Sequence, residues 1–216
     1  MSPSSLVGVR SMVPRVVGVV AVVALMLTGA GCASEPEPLV VPEVRWPQGE
    51  PSGELESDPW VQAAREYEVL FAAAWNAHDW SDPALLDVVS GSIVGRTASG
   101  QRDALDQGRY FTLVGPLPFE PLSVEETGPD KAEVVVCAYA TWSPASGQVA
   151  PASPVAFEQG YYLERDESGQ IRVMTPYGTE TECDVDSISP GFFDPAPEPL
   201  DGLDGDDVRE AEPKRR

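Results

Sequence analysis

The 216-residue sequence predicts an α+β domain in which a curved antiparallel sheet of about four strands packs on a long N-terminal helix and two shorter helices. Between residues 60 and 78, apolar side chains recur at steps of three and four, which is typical of an amphipathic helix, and two shorter helical segments follow before residue 112. After Pro116 the apolar residues alternate with polar ones, which is typical of strands. Helices gathered before a run of strands favour α+β over an alternating α/β arrangement.

The first helix is predicted to begin after Asp58, whose side chain suits the cap, with Pro59 in the first turn. Its apolar stripe is formed by Trp60, Ala64, Tyr67, Phe71, Trp75 and the single histidine, His78. Asp82 repeats the capping signal before a short helix over 83–89, and a third helix is predicted over 101–111.

Four runs are predicted as strands, and each is rich in β-branched or aromatic residues. They cover 119–126, 132–142, 155–165 and 170–183. A turn at 128–130 joins the first pair and a turn at 166–169 joins the last pair. Because these two connections are short, the strands that they join are expected to be antiparallel.

The amino-terminal residues indicate an export signal. Arg10 and Arg15 precede the apolar run 16–28, which is too short to cross a bilayer but suits a signal peptide. The following Leu27-Thr28-Gly29-Ala30-Gly31-Cys32 places small residues directly before a cysteine, and so resembles the lipobox of bacterial lipoproteins. That resemblance implies palmitate-type acylation, with diacylglycerol on the Cys32 thiol, and a mature protein anchored on the outer face of the cell membrane.

Two points at this end of the chain stay open. A plain secretory signal with an incidental Cys32 is the alternative to the lipobox. Translation starts at Met1 or at Met12, and the second choice leaves a basic segment of more usual length.

The composition predicts four segments. Residues 1–31 are the signal peptide, and 32–57 form a proline-rich disordered stalk with five prolines and interspersed glutamates. Residues 58–187 form the folded domain. Residues 188–216, which combine prolines with acidic residues, are predicted to be a disordered acidic tail.

Cys137 and Cys183 remain once Cys32 is assigned to lipid. Outside the cytoplasm two cysteines in one domain are usually joined, so a disulfide is predicted. Two buried free thiols are the alternative. Neither cysteine has a neighbouring Cys or His at ligand spacing, and no zinc site is predicted.

The net charge is −21, which disfavours binding to nucleic acid and to anionic lipid. The sequence contains no P-loop, no Gly-rich dinucleotide loop, no Gly-x-Ser-x-Gly motif and no metal-ligand cluster. These observations predict no cofactor and no metal.

Two stretches add a family resemblance. Residues 71–80, FAAAWNAHDW, and 161–173, YYLERDESGQIRV, resemble the end of the first helix and the last hairpin of the nuclear transport factor two-like fold. This cone-shaped fold is shared with ketosteroid isomerase and polyketide cyclases, and the resemblance covers about residues 58–185. The layout is also similar to actinobacterial lipoproteins that carry such a domain behind a proline-rich stalk.

The resemblance implies a pocket between the sheet and the helices, in which the family's enzymes pair a carboxylate with a tyrosine or with a second acid. No catalytic set is identified here. The candidate pocket residues are Tyr67, Phe71, Trp75, His78, Asp79, Tyr110, Trp142 and Tyr161. The alternative is that the aromatic residues among them simply fill the core.

The sequence therefore favours a non-catalytic extracytoplasmic lipoprotein that binds an envelope protein or a small apolar ligand. A small-molecule isomerase, cyclase or dehydratase with a carboxylate/tyrosine pair is the alternative, so whether the protein is an enzyme stays uncertain. A third interpretation is an accessory domain of cell-wall or transport machinery, which a homodimer through the open sheet face would support.

Overall fold

Three helices precede a four-stranded antiparallel sheet in the residues that the computed structural model describes, which are 38–109, 111–140, 142, 155–198 and 202–211. The predicted α+β class is confirmed. The predictions for residues 1–37, which include Cys32, and for Tyr110 lie outside the described residues.

The first two helices begin where capping predicts. Helix α1 is Pro59–Ala77, and its cap Asp58 accepts a hydrogen bond from the Trp60 amide at 2.8 Å. It ends at His78, whose φ of 52° is left-handed, as is usual at the end of a helix. Helix α2 is Pro83–Val88, capped in the same way by Asp82.

Helix α3 is Gly91–Asp106, so the prediction of 101–111 was wrong at both ends. The Ser90 carbonyl accepts from the amides of Ile93 and Val94 and so starts the helix earlier. The glycines in α3 have a low helix propensity and weaken the helix. The burial of Ile93 and Val94 stabilises it, so tertiary packing overrides that low propensity. The chain leaves the helix before Gly108, whose φ is 67°.

Eight strands occur in the described part of the chain. They are β1 Glu43–Arg45, β2 Asp79–Trp80, β3 Phe119–Gly128, β4 Lys131–Tyr139, β5 Ala156–Arg165, β6 Ile171–Glu182, β7 Phe192–Asp194 and β8 Arg209–Glu210. The main sheet has the order β3-β4-β5-β6, with every neighbour antiparallel. Strand β4 ends at Tyr139, so Trp142 lies beyond the strand that was predicted to include it.

Both segments that were predicted to be disordered contain ordered elements. Strand β1 lies in the predicted stalk and pairs antiparallel with β7, which lies in the predicted tail. Strand β8, also in the predicted tail, pairs in parallel with β2. The physical reason is burial: Phe193 and Val208 are 2% and 6% exposed, and their packing outweighs the prolines and acids around them.

The main core lies between α1 and one face of the sheet, called the inner face, which carries Val134, Tyr161 and Val173. Helix α1 contributes the facing side chains, among them Val61 and Ala64, which are both fully buried. Alternation along the strands turns the remaining side chains to the opposite, outer face.

A second cluster surrounds a disulfide between Cys137 and Cys183, which confirms the predicted pair. Tyr139, Trp142 and Ile188 pack around it. Within the described ranges, no helix is long and apolar enough to cross a membrane.

Candidate functional site

The inner face holds a buried carboxylate that hydrogen-bonds to a tyrosine. Glu68 of α1 is 7% exposed and Tyr161 of β5 is 1% exposed. The Tyr161 hydroxyl donates to Glu68 Oε1 at 2.8 Å. Burial raises the pKa of Glu68 to about 7, although hydrogen bonds from Tyr161 and the Leu117 backbone act in the opposite direction. The site therefore keeps a carboxyl group that gains or loses its proton near neutral pH.

The two tyrosines beside this carboxyl group are held in the neutral form. Burial, and then the charge of Glu68, raise the pKa of Tyr161 well above its ordinary value. The same two causes raise the pKa of Tyr67, the neighbour of Glu68 on α1. Both phenols therefore keep their protons at neutral pH, and Tyr161 donates its proton in the hydrogen bond to Glu68.

The nearest guanidinium on α1, that of Arg65, is engaged elsewhere. It forms an ion pair with Glu56, donates to the Phe119 carbonyl at 3.1 Å, and lies 4.0 Å above the centre of the Phe119 ring. Among the described residues Glu68 forms no ion pair. Protonation of its carboxyl group is therefore the main way in which its negative charge is removed in this buried site.

Four of the predicted pocket residues form one aromatic cluster. The Tyr67 ring is 5.5 Å from Phe71 and 6.2 Å from Tyr161, and Phe71 is 6.3 Å from Trp75. Tyr67 and Tyr161 are buried, and Phe71 and Trp75 are packed against the core. Tyr67 and Tyr161 meet between α1 and the sheet, whereas Phe71 and Trp75 extend the cluster toward Trp80 of β2.

Trp142 lies apart from that cluster. It packs in the disulfide cluster, 5.6 Å from Tyr139 and 5.3 Å from Phe192, and its indole donates to the Gly115 carbonyl. The structure therefore separates Trp142 from the cluster of Tyr67, Phe71, Trp75 and Tyr161.

His78 and Asp79 lie where α1 meets the carboxy-terminal strand β8. Among the residues that the structure describes, neither ring nitrogen of His78 has a hydrogen-bond partner. Burial lowers the pKa of His78, although the nearby charge of Asp207 acts in the opposite direction. The nearby Gln101 amide bonds instead to the Trp80 indole and the Trp75 carbonyl. Asp79 accepts from Ser81 and forms an ion pair with Arg209 at 3.0 Å. These contacts join β2 to β8.

A surface groove of about 260 Å³ lies at another place, between the end of α2, the start of α3 and the β5–β6 hairpin. It is lined by Leu86, Val89, Ser90, Gly91, Glu164, Arg165, Asp166, Arg172 and Met174. Two of its acids are neutralised, because Asp166 pairs with Arg172 and Glu164 pairs with Lys131. None of the predicted site residues whose positions are described lines this groove.

The outer face of the sheet carries a pair of stacked tyrosines. The rings of Tyr162 and Tyr177 are 5.2 Å apart and inclined by 29°, and Tyr162 is 46% exposed. The Tyr177 ring lies across Gly160, where an added Cβ would be 2.2 Å from the ring. Its hydroxyl donates to Glu133, which fixes the ring against the sheet.

Glutamates surround this tyrosine pair. Glu133 lies opposite Tyr162 on the neighbouring strand and opposite Glu125 on its other side. Glu125 is exposed and Glu133 is partly exposed. The outer face thus offers an aromatic surface next to two carboxylates.

The sequence interpretation missed Glu68, Glu133 and Tyr177. Glu68 was the easiest to find, because it falls on the apolar stripe four residues after Ala64. An acid on the apolar side of a helix is expected to be buried with it. Because buried glutamates are rare, Glu68 should have been treated as a candidate site residue.

No group of three or more His, Cys, Asp or Glu side chains suited to a metal ion occurs among the residues with described positions.

In comparisons with known proteins, no family model, no curated protein and no solved structure matches the chain.

Proposed function

We propose that the protein is a lipoprotein of the cell envelope, with signal peptide 1–31 and a diacylglycerol on Cys32. The Cys137–Cys183 disulfide supports a location outside the cytoplasm, because structural disulfides persist in oxidising compartments. With those two cysteines joined, Cys32 in its lipobox-like setting is the one left for acylation. The helices and sheet, in this proposal, form a nuclear transport factor two-like cone.

The domain's task is to bind a partner protein through the outer face of its sheet. The observation that carries this proposal is the stacked Tyr162–Tyr177 pair, in which Tyr177 packs on Gly160 and bonds to Glu133 while Tyr162 is exposed to solvent. Tyrosine is enriched at protein interfaces, because it buries a large area and loses little conformational entropy. A small apolar ligand between α1 and the sheet is less favoured, because aromatic side chains occupy that space.

A homodimer through the same face is also less favoured. The face bears Glu125 and Glu133 close together, and two copies would bring these like charges together. A second copy of the chain is therefore treated as an alternative occupant.

The anchor is tested by the Cys32→Ser variant expressed in the source cells. The wild-type protein is expected in the membrane fraction and the variant in the soluble extracytoplasmic fraction, with Ser4→Ala as the control for the signal segment. A variant that remains with the membrane would contradict lipid anchoring.

The binding face is tested by a photo-crosslinking amino acid at Thr175, an exposed residue opposite Tyr162. A second protein with the crosslinker at Glu66, on the exposed side of α1, is the control. Crosslinks to a defined envelope protein from position 175 and not from position 66 support the proposal. Crosslinks only to a second copy, or none from 175, oppose it.

A second candidate function is acid–base chemistry by Glu68 and Tyr161. The favouring observation is their 2.8 Å hydrogen bond in a buried site, which resembles the carboxylate/tyrosine pairs of isomerases and cyclases. Exchange of the α-protons of simple cyclic ketones in D₂O, followed by NMR, tests this function. Exchange that is accelerated by the wild type and abolished in Glu68→Gln would favour it, whereas no acceleration would leave the pair a structural feature.

A further inference from the structure

Two glutamates on the outer face are placed directly opposite one another. Glu125 of β3 pairs in register with Glu133 of β4. Like charges at such positions destabilise a sheet. The cations nearest along the strands are committed to other acids, since Lys131 pairs with Glu164 and Arg172 pairs with Asp166. Within the described part of the chain, this repulsion is not relieved by an ion pair of its own.

The exposed ring of Tyr162 lies next to this pair. Tyr162 is opposite Glu133 on the side away from Glu125, so the three side chains form one row across β3, β4 and β5. Tyr177 supports the ring from the neighbouring strand. A cation above the row would contact an aromatic face and two carboxylates at the same time.

We propose that the occupant of this face is a cationic segment of a partner protein, with an arginine or lysine placed over Tyr162 and between Glu125 and Glu133. Arginine suits the position best, because its planar guanidinium stacks on a ring and bonds to a carboxylate together. The net charge of −21 adds a long-range attraction for such a segment. This inference rests on the proposed function, because it names the partner chemistry of the same face.

The experiment measures the affinity of the purified full chain, in detergent, for a ten-residue peptide of alternating arginine and serine. The double variant Glu125→Gln and Glu133→Gln keeps the side-chain shapes and removes both charges. Because each exposed ion pair contributes modestly, the loss of both is expected to weaken binding about 2- to 30-fold. Tyr162→Ala is expected to weaken it about 2- to 5-fold, and Tyr162→Phe to retain it within about twofold, since the ring face remains.

The matched control is the double variant Glu66→Gln and Glu167→Gln. Both residues are exposed and lie off the row, one on α1 and one in the β5–β6 turn. This variant loses the same net charge, so it reports general attraction to an acidic protein. Equal weakening by the two double variants, or no loss for Tyr162→Ala, would overturn the inference.

The result also separates this inference from the proposed function. Suppose that position 175 crosslinks to an envelope protein and that the arginine peptide does not reduce this crosslinking. The outer face would then remain the binding surface, but the proposal of a cationic occupant would be refuted. Binding of a neutral saccharide in place of the peptide, unaffected by the glutamate variants, would have the same meaning. Loss of both crosslinking and peptide binding would refute the proposed function itself.

Discussion

Replacement of Glu68 by glutamine tests whether the interior contains a carboxyl group that titrates near neutral pH. The amide keeps the shape of the side chain and an oxygen that accepts from Tyr161, but it never ionises. The wild-type carboxyl group has a pKa of about 7 when folded against an ordinary value of 4.5. When a folded-state pKa is raised in this way, the folded protein holds the proton more tightly than the unfolded chain does, so stability falls as pH rises from about 4.5 to 7.

The rise in pKa corresponds to roughly 3 kcal/mol of stability lost above pH 7. We therefore expect Glu68→Gln and the wild type to have similar free energies of unfolding at pH 4. At pH 8.5 we expect the variant to be more stable by about 3 kcal/mol. Urea unfolding followed by tryptophan fluorescence at the two pH values measures this difference.

Glu66→Gln is the control, because Glu66 lies two residues earlier on the exposed side of α1. His78 contributes the opposite slope, since burial lowers its pKa and disfavours the folded state as pH falls. That contribution is present in the wild type and in both variants and cancels in the differences. A Glu68→Gln difference that is the same at pH 4 and pH 8.5 would refute a buried, neutralised Glu68.

Three other perturbations have expected outcomes. Replacing Cys137 and Cys183 with alanine opens a loop with a sequence separation of 46, and is expected to cost about 4 kcal/mol in urea unfolding. Gly160→Ala places a methyl group against the Tyr177 ring, and is expected to cost about 1–3 kcal/mol and to shift the Tyr177 NMR signals. His78→Asn, which suits the left-handed backbone, removes a buried imidazole, so the variant should lose less stability than the wild type below pH 6.5.

Each of these has an internal check. The disulfide prediction fails if reduction of the Cys137–Cys183 bond leaves the urea midpoint of wild-type unfolding unchanged. Gly178→Ala is the control for Gly160→Ala, because an added Cβ at Gly178 meets no atom within 4 Å, and equal costs would contradict the packing of Tyr177. If the free energy of unfolding fell equally with decreasing pH below 6.5 in His78→Asn and in the wild type, His78 would not be held neutral by burial.

The sequence predicted the elements whose signals are local. Asp58 and Asp82 capped their helices as expected, because a cap needs only residues close to it in the chain. The four long strands were found from their alternation, and the disulfide from cysteine count and compartment. The length of α3 was not predicted, since Gly91, Gly95 and Gly100 conceal a helix that tertiary packing maintains.

The remaining differences depend on contacts between distant residues. Strands β1 and β7 are only three residues each and are flanked by prolines and acids. Neither has a strand pattern of its own in the sequence, because each is stabilised by pairing with the other. The outer-face row requires the register of three strands, which a single sequence does not specify. Glu68 differs from these, because its place on the apolar stripe was visible and only its significance was overlooked.

Carbodiimide labelling of carboxylates in intact envelopes tests the central claim most directly. Glu125 and Glu66 are both exposed in the structure, so both should be labelled to a similar extent in the purified protein. If a partner covers the outer face of the sheet, mass spectrometry should find Glu125 protected in the envelope and Glu66 labelled as before. Equal labelling of Glu125 in the envelope and in the purified protein would contradict the account.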